Sequence, residues 1–458
     1  MKKVLLTFSI IVSLNFYSQE HFAGLSTSSR GGIIKAGINP AELANSSSRF
    51  EVNIFGGSFN LSNNKIGFND ITSGKNLESL IFQGTDPVNM RFDAEVYGPG
   101  VAIKLLKWSF GITTKASGKL DIIDVDSKLG NAIINSDVTG YIGTDQIKSD
   151  FNQRLVGTSW GEVGLTVARP IIDNDKLKIN VGGTLKLMFP GSYSNIGLDK
   201  FNGTINYGSG NAYVTNTTAN LNVSYSGSLA NSFSDFSDYS KSVYGALNGF
   251  VGDVGINFQI KDKSIVDILK SRNKYKLNAG IAVRNIGSMT FKNDNNYATN
   301  YNLNIQPTIP APLGLNLNEF QDVDNLQQVE TILINKGYLN ITPQKKDFVV
   351  KLPTVVNVNL DLKLISKLYI SGYLQKKLND DNKNDQISAQ NIITITPRIN
   401  LGFIEVYLPV SNSEISGTNA GFGFRLGGFY LGSGSVITAL TNDSKQADIY
   451  LGFRWGFL

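Results

Sequence analysis

The chain has 458 residues, and its 46 Gly, 12 Pro, 26 Phe and 18 Tyr accompany only 17% charged residues. That composition is typical of turn-rich antiparallel sheet and excludes an ordinary helical enzyme. The net charge of +5 includes Lys2 and Lys3 of a leader segment, so the remainder is nearly balanced and a nucleic-acid partner is not indicated. Because the chain has no Cys, a lipoprotein acylation site, a disulfide framework and a thiolate metal site are all excluded.

The first residues have the pattern of a secretory signal. Two lysines precede the apolar run VLLTFSIIVSLNF, and small residues follow, with cleavage expected after Ser18 or Gln19. A membrane helix needs roughly 17 to 25 apolar residues, more than this run contains. We therefore predict a signal peptide at residues 1–19, a periplasmic segment at 20–49 and the folded body at 50–458. No later apolar run is long enough for a membrane helix, so a membrane form must be a closed barrel.

Many segments of about ten residues alternate apolar and polar side chains, as strands between lipid and a wet lumen do. In VVNVNLDLKL, Val358 and Leu360 share one face, while Asn357, Asn359 and Asp361 share the other. One such segment fits a surface strand of a sandwich equally well, but their number and uniformity predict an all-β transmembrane antiparallel barrel of about fourteen strands. The strands are predicted at residues 50–60, 93–104, 108–121, 160–171, 177–189, 251–262, 275–292, 349–363, 367–378, 388–398, 401–411, 417–427, 430–440 and 446–457.

The connections alternate between short turns and long insertions, which predicts short periplasmic turns and long extracellular loops if the N-terminus is periplasmic. The insertion at about 191–250 is rich in Ser, Asn, Gly and Tyr, and its aromatic side chains either line a ligand entrance or pack the loop onto itself. A later loop contains DNLQQVETILINKG, whose Leu326, Val329 and Leu333 match one face of a helix. That helix either caps the barrel mouth or packs against its own loop.

The chain ends in the regular phrase DIYLGFRWGFL. Its apolar side chains fall at every second position, a pattern that would promote aggregation in a soluble protein. Such an aromatic-rich last strand resembles the signal that the barrel assembly machinery recognises in outer-membrane proteins, carried here by Phe453, Trp455, Phe457 and Leu458. The expected location is the bacterial outer membrane, with membrane lipid and, during biogenesis, the assembly machinery as partners.

A further motif lies between the signal and the first strand. The phrase GINPAELANSSSRFEVNIFGGSF contains Asn39, Pro40 and Ala41 and follows the small-residue stretch LSTSSRGGIIKAG. With fourteen predicted strands behind it, this segment is similar to the FadL family of long-chain fatty acid transporters and its relatives, which include the PorV-type shuttle of type IX secretion. The resemblance implies that residues 20–49 fold into the lumen as a hatch, with the Asn-Pro-Ala motif as its signature.

Transport in the FadL family takes a hydrophobic molecule into the barrel and out sideways through a break in the wall. The resemblance implies such a lateral opening here, and Gly98, Pro99 and Gly100 inside the second strand are the candidates. Proline supplies no amide to the ladder, and glycine weakens the strand. A bulge, or a strand that starts later, is the alternative interpretation.

Catalytic chemistry is not indicated. The single histidine, His21, lies beside the signal cleavage point, so a Ser-His or Cys-His catalyst and a multi-histidine metal site are excluded. We expect no enzyme activity and no cofactor, and we predict that the lumenal Asp361, Lys363, Arg398, Arg425 and Arg454 form salt bridges.

The sequence is compatible with three functions. A FadL-like, porin-like channel for uptake of small hydrophobic molecules is preferred and predicts a small hydrophobic ligand. A PorV-like barrel associated with secretion or surface-protein display predicts a protein partner. A secreted β-sandwich adhesin predicts release without detergent.

Overall fold

Antiparallel strands close into a ring of fourteen positions in the computed structural model, which describes residues 21–134, 142–208, 210–231, 245–262, 275–292, 295–307, 314–339 and 341–457. The predicted fold class is therefore confirmed, and the closed ring is not a sandwich. The predicted signal peptide, residues 1–19, lies outside the described residues.

Twenty-two strand segments form one continuous sheet within the described residues. In chain order they are β1 (Phe50–Asn63), β2 (Val88–Tyr97), β3 (Gly100–Leu105), β4 (Trp108–Val125), β5 (Gly143–Lys148), β6 (Gln153–Asp173), β7 (Leu177–Gly208), β8 (Asn211–Ser226), β9 (Gly249–Lys261), β10 (Tyr275–Phe291), β11 (Tyr297–Ile305), β12 (Leu315–Asn316), β13 (Phe348–Lys351), β14 (Val355–Ile365), β15 (Leu368–Lys377), β16 (Ile392–Asn400), β17 (Ile404–Tyr407), β18 (Val410–Ser413), β19 (Gly417–Ala420), β20 (Phe422–Leu426), β21 (Phe429–Ser433) and β22 (Gln446–Phe457). Four ring positions are interrupted strands, namely β2 with β3, β13 with β14, β17 with β18, and β19 with β20.

Five short helices lie in the connections: α1 (Phe68–Thr72), α2 (Leu77–Ile81), α3 (Ser127–Ile134), α4 (Leu326–Asn335) and α5 (Val436–Thr441). Short 3₁₀ helices lie at Gly32–Gly37, Pro40–Asn45, Gly227–Ala230 and Leu317–Phe320. None of the helices in the described ranges is long and apolar enough to cross a membrane.

The last strand closes the barrel. β22 pairs with β1 from Phe457 opposite Phe50 to Gln446 opposite Ser62, while β2 and β3 pair with the other edge of β1. Since both edges of β1 are occupied, the ring leaves no open sheet edge there, as a membrane-spanning sheet requires.

Side chains alternate between the two faces of the wall as the sequence pattern predicts. Val254, Ile256 and Phe258 of β9 are exposed on the outside, whereas Asp253 and Asn257 at alternate positions are buried in the lumen. The same arrangement holds for β14, where Val358 and Leu360 are exposed and the intervening asparagines are buried. The outer surface is thus an apolar belt and the inner surface is polar, the arrangement of transmembrane barrels.

The connections divide between the two ends of the barrel, which we call the turn end and the loop end. At the turn end, β3 joins β4 and β14 joins β15 through two-residue turns in which Leu106 and Lys367 have positive φ, as tight hairpin turns require. Long connections follow β1, β4 and β10 at the loop end, as the sequence predicts, whereas β18 joins β19 there through residues 414–416 alone.

The loop end carries a sheet that the sequence pattern does not predict. β7 continues to Gly208, well beyond the predicted end near 189, and pairs with β5 and β8, while β8 pairs with β11 and β12. The prediction of a loop over 191–250 is therefore wrong where β7 and β8 run. Glycine and asparagine dilute the alternation here, and the buried positions of β7 change from even to odd near Ser192, where its register against β6 shifts. We call these strands the loop-end sheet.

One face of the loop-end sheet packs on helices. Buried Leu221 and Tyr301 of the sheet belong to one apolar cluster with Leu326 and Leu333 of α4 and Leu129 of α3. The predicted helix is confirmed as α4, and it packs against the loop-end sheet.

The predicted thirteenth strand, 430–440, is wrong in its second half. β21 ends at Ser433, and α5 follows after a turn. The buried carboxylate of Asp448 accepts hydrogen bonds from Gly434 N (2.5 Å) and Ser435 Oγ (2.6 Å), which fixes the turn.

Candidate functional site

The lumen is filled from the turn end by residues 21–49, which we call the hatch. Its Phe22 and Leu25 pack against Tyr407, Tyr430 and Tyr450 of the wall. A second contact places buried Ile33, Ala36 and Leu43 of the hatch against Ala102 and Ala168 of the wall. The hatch is thus packed as a protein core and closes the barrel.

The Asn-Pro-Ala motif begins the 3₁₀ helix Pro40–Asn45. Asn39 is fully buried, and its Oδ1 accepts a hydrogen bond from Ala41 N at 3.0 Å, which makes it the N-cap. Its Nδ2 donates to the carbonyl oxygen of Ile256 in β9 at 3.0 Å. Pro40 occupies the first helical position, where its missing amide is not needed. The motif therefore shapes the hatch and joins it to the wall.

Three wall glycines form the seat for this motif. A Cβ on Gly182 would lie 2.6 Å from Ala41 N, one on Gly255 would lie 2.1 Å from Asn39 Oδ1, and one on Gly280 would lie 2.5 Å from Asn39 Nδ2. All three occupy inward positions on β7, β9 and β10, and Gly182 is directly opposite Gly255. The side-chain-free patch admits the hatch backbone to the wall. Sequence reasoning missed it, although glycine at inward positions of neighbouring strands was a readable signal.

Glu42, directly after the motif, gathers the polar groups of the lumen. Its Oε1 accepts hydrogen bonds from the amides of three wall asparagines, and its Oε2 lies 2.9 Å from Lys35 Nζ within the hatch. The three donors are Asn257 at 2.7 Å, Asn278 at 2.8 Å and Asn359 at 2.9 Å. A buried carboxylate with this many partners holds the hatch to three strands.

The predicted salt bridges of the lumenal wall are confirmed. Arg398 pairs with Asp361 (2.5 Å) and with Glu405, and Arg425 also pairs with Glu405 (3.3 Å). Lys363 pairs with Asp262 (2.6 Å) and Arg454 with Glu51 (2.9 Å). Two of these acids also hold the hatch, since Ser28 Oγ donates to Glu405 (2.8 Å) and Ile33 N donates to Glu51 (2.8 Å).

A second closure comes from the loop end, where residues 378–391 between β15 and β16 descend into the barrel. We call them the inserted loop. Arg154 of β6 donates to the carbonyl oxygens of Asp381 (2.9 Å) and Gln386 (3.0 Å). Tyr193 Oη donates to the carbonyl of Asn384 at 2.6 Å. The loop sequence LNDDNKNDQISAQN has no apolar periodicity, so its lumenal position could not be predicted from the sequence.

A cavity of about 90 Å³ lies in the lumen, lined by Phe22 of the hatch, Ala389 of the inserted loop and the wall. Its aromatic surface comes from Phe22, Tyr97, Trp160 and Tyr373. Its carboxylates are paired with lysines, and the Arg284 side chain also lines it. Lys115 Nζ lies 2.6 Å from Glu95 and 3.5 Å from Glu162, Lys119 contacts Asp93, and His21 Nε2 lies 3.3 Å from Asp93. The cavity therefore presents aromatic ring faces to a ligand, and its lysine and carboxylate charges neutralise one another.

The cavity reaches the wall where the second strand is interrupted. Tyr97, the last residue of β2, lines the cavity, and Gly98 and Pro99 separate it from β3. Val96 and Val101 are an odd number of positions apart and would lie on opposite faces of a regular strand. Both are exposed on the outside, so the interruption between Tyr97 and Gly100 is a bulge that preserves the lipid face. The bulge and the candidate opening thus occupy the same residues.

Hydrogen bonds bridge the interruption. Asn53 Nδ2 donates to Gly98 O at 2.9 Å, Gly98 N donates to Thr114 O at 3.0 Å, and Thr114 Oγ1 donates to Pro99 O at 2.8 Å. Two of the three bonds involve side chains, which can rotate away without unzipping a ladder.

The predicted assembly-signal residues lie on the strand that closes the ring. Trp455 is 52% exposed on the outer surface, and the ring of Phe453 lies 6.1 Å from that of Trp455. Phe457 pairs with Phe50 through its backbone, and Leu458 lies outside the described residues. In the described part of the chain, no group of three or more His, Asp or Glu side chains is arranged to hold a metal ion.

A sequence-family model described as "Family of unknown function (DUF5723)" matches residues 40–434. A search of curated proteins finds no match. Solved structures with a similar overall course include the TodX deltaS2S3 mutant monoaromatic hydrocarbon channel (10% identity, 93% of this chain, 95% of that chain, TM-score 0.45). A second is a Pseudomonas aeruginosa FadL homologue, with 8% identity over 97% of this chain and 100% of that chain and a TM-score of 0.43. A third is the Ralstonia pickettii toluene transporter TbuX, with 11% identity over 93% of this chain and 94% of that chain and a TM-score of 0.41. A FadL homologue is thus among the structures the chain is similar to, as the sequence resemblance predicts.

Proposed function

Because the chain belongs to the DUF5723 family, whose function is unknown, we propose its role from its own lumen: it is a bacterial outer-membrane channel for uptake of small hydrophobic molecules. One observation carries the proposal. Tyr97 lines the lumenal cavity, and the strand ladder of the wall is interrupted at the next two residues. A molecule in the cavity therefore has a short sideways path to the apolar belt, and Gly98, Pro99 and Gly100 are the lateral opening.

The size of the cavity implies that the hatch moves during transport. A cavity of roughly 150 Å³ admits benzene, and the cavity here measures about 90 Å³. The first hatch residues are the part assigned this motion, because His21 and Phe22 line the cavity. His21 Nδ1 is hydrogen-bonded to Ser58 Oγ (2.9 Å), and its Nε2 lies 3.3 Å from Asp93. Displacing His21 and Phe22 would enlarge the space beside the aromatic rings, which supply an apolar surface for the passenger.

A reversible clamp across the interruption tests the proposal. A Cβ on Gly100 would lie 3.7 Å from Asn53 Cβ, within the range of about 3.5–4.5 Å found in disulfides. It would also lie 3.0 Å from the Ile112 carbonyl oxygen, so the backbone must shift by a few tenths of an ångström. The variant Asn53→Cys/Gly100→Cys should therefore form a disulfide in a chain that has no other Cys. In proteoliposomes, we expect the oxidised clamp to slow the uptake of toluene or a fluorescent fatty acid, and reduction to restore it.

A matched clamp elsewhere in the wall provides the control. Leu360 and Gly372 are opposite each other on β14 and β15, and a Cβ on Gly372 would also lie 3.7 Å from Leu360 Cβ. Oxidised Leu360→Cys/Gly372→Cys should transport as its reduced form does. Equal uptake by the oxidised and reduced forms of the first clamp, with the cross-link confirmed by mass spectrometry, would refute the lateral path.

A PorV-like protein-binding barrel is the second candidate, and the double closure of the lumen favours it. Glu42 holds the hatch and Arg154 holds the inserted loop, each through several buried hydrogen bonds. Purification from the outer-membrane fraction in mild detergent, with lipid extraction and protein identification on one sample, separates the two. A co-purifying apolar molecule supports the channel, and a stoichiometric protein without such a molecule supports the scaffold.

A further inference from the structure

The exposed face of the loop-end sheet is an ordered array of amide side chains. On the adjacent strands β8 and β11, Asn222 is opposite Asn300, Asn220 is opposite Asn302, and Thr218 is opposite Asn304. All are exposed except Asn222, which is half-buried. We call these six residues the amide face.

Folding of the sheet does not account for this choice of residues. The alternating positions Leu221, Val223, Tyr301 and Leu303 are buried and supply the apolar contacts. Asparagine is depleted in strands, where Thr and β-branched or aromatic residues are more stable. Four asparagines at exposed strand positions and one at a half-buried position therefore lower the stability of the sheet relative to threonine, which points to a function for the amides.

The chemistry of the amide face is neutral and bifunctional. None of the six side chains is ionisable, and each carboxamide both donates and accepts hydrogen bonds. Asn222 Nδ2 donates to Asn300 Oδ1 at 2.8 Å, which orients one pair. Within the described residues, the side chains of Thr218, Asn220 and Asn302 make no hydrogen bond to another residue. Strands spaced about 4.8 Å apart thus present these groups side by side, with the side chains of Thr218, Asn220 and Asn302 available to a ligand.

We propose that the amide face binds a neutral glycan chain at the cell surface. Sugar hydroxyls donate and accept hydrogen bonds, so they match carboxamides without requiring charge. An anionic polymer would call for clustered Lys or Arg, and a protein partner would call for exposed aromatic or Arg anchors; the amide face has neither. This binding function goes beyond transport and does not depend on it.

A glycan array tests the proposal directly. The full-length protein, held in an amine-oxide detergent that has no sugar headgroup, is applied to neutral glucan, mannan and galactan oligosaccharides, with sulfated and uronic-acid oligosaccharides as charged comparators. We expect binding to at least one neutral series. Asn220→Ala/Asn302→Ala should weaken it about tenfold or more, since two hydrogen-bonding groups are lost.

Two further variants keep the outcome interpretable. Asn220→Thr/Asn302→Thr removes the same amides but favours the strand, so weakened binding by this variant cannot come from misfolding. Asn335→Ala/Asn442→Ala changes exposed asparagines outside the amide face and should bind as the parent does.

Three results would overturn the proposal: no binding to any neutral glycan, preference for the charged comparators, or binding that the amide-face variants leave unchanged. Self-association that disappears in those variants, without glycan binding, would instead assign the face to a second copy of the chain.

Discussion

Replacing Asn39 tests whether the Asn-Pro-Ala motif holds the hatch in the lumen. Asn39→Ala removes the acceptor for Ala41 N and the donor to the Ile256 carbonyl. Loss of an N-cap costs about 0.5–2 kcal/mol, and an unpaired buried amide costs about 1–3 kcal/mol. Because both figures largely describe the same bond, we expect docking of the hatch to weaken by about 2 kcal/mol, which is roughly thirtyfold in the docking equilibrium.

Hydrogen exchange with mass spectrometry measures this change. Peptides covering residues 33–45 should exchange roughly thirtyfold faster in Asn39→Ala, while peptides from β9 and β14 remain protected. Asn39→Ser keeps an acceptor for Ala41 N and should show a smaller effect. If the hatch peptides exchange equally in the Ala variant and the parent, the capping bond does not hold the hatch and the reasoning fails.

The other predictions concern the hatch seat, the loop-end layer and assembly. Gly182→Ala should weaken hatch docking by about 1–3 kcal/mol, since its Cβ would lie 2.6 Å from Ala41 N, whereas Gly252→Ala has open space and should not; equal protease sensitivity of the hatch in both variants would contradict this. Burial raises the pKa of Glu330, although hydrogen bonds from two tyrosines oppose the shift. Folded Glu330 therefore binds its proton more tightly than Glu330 of the unfolded chain does. The stability of the loop-end sheet and its helices should fall as pH rises above about 4.5, the ordinary pKa of a glutamate. The protection of backbone amides in residues 326–335 from hydrogen exchange should show this pH dependence, and Glu330→Gln should remove it. Trp455→Ser should reduce the amount of folded barrel in the outer membrane, seen as heat-modifiable gel mobility, more than Trp108→Ser does at another exposed tryptophan; equal losses would argue against a terminal assembly signal.

The sequence by itself determined the wall of this protein. Strict alternation, as in Val358 and Leu360 against Asn357 and Asn359, depends on local chemistry alone, because strand side chains point to opposite faces with period two. Strand existence, the lumenal face and the alternation of short and long connections were therefore predictable. The bulge at Gly98 and Pro99 was also visible as a residue pattern, since proline and glycine interrupt a ladder.

Tertiary structure alone decided what fills the barrel. The inserted loop is polar and aperiodic, and its lumenal position depends on partners far away in sequence, such as Arg154 with Gln386. The seat at Gly182, Gly255 and Gly280 exists only because the register of three strands brings these glycines close together, with Gly182 opposite Gly255 and Gly280 opposite Asn257, two residues further along β9. The extension of β7 beyond its predicted end likewise depends on pairing with β5 and β8. Local patterns specify which face a side chain occupies, whereas register and long-range hydrogen bonds specify what it meets there.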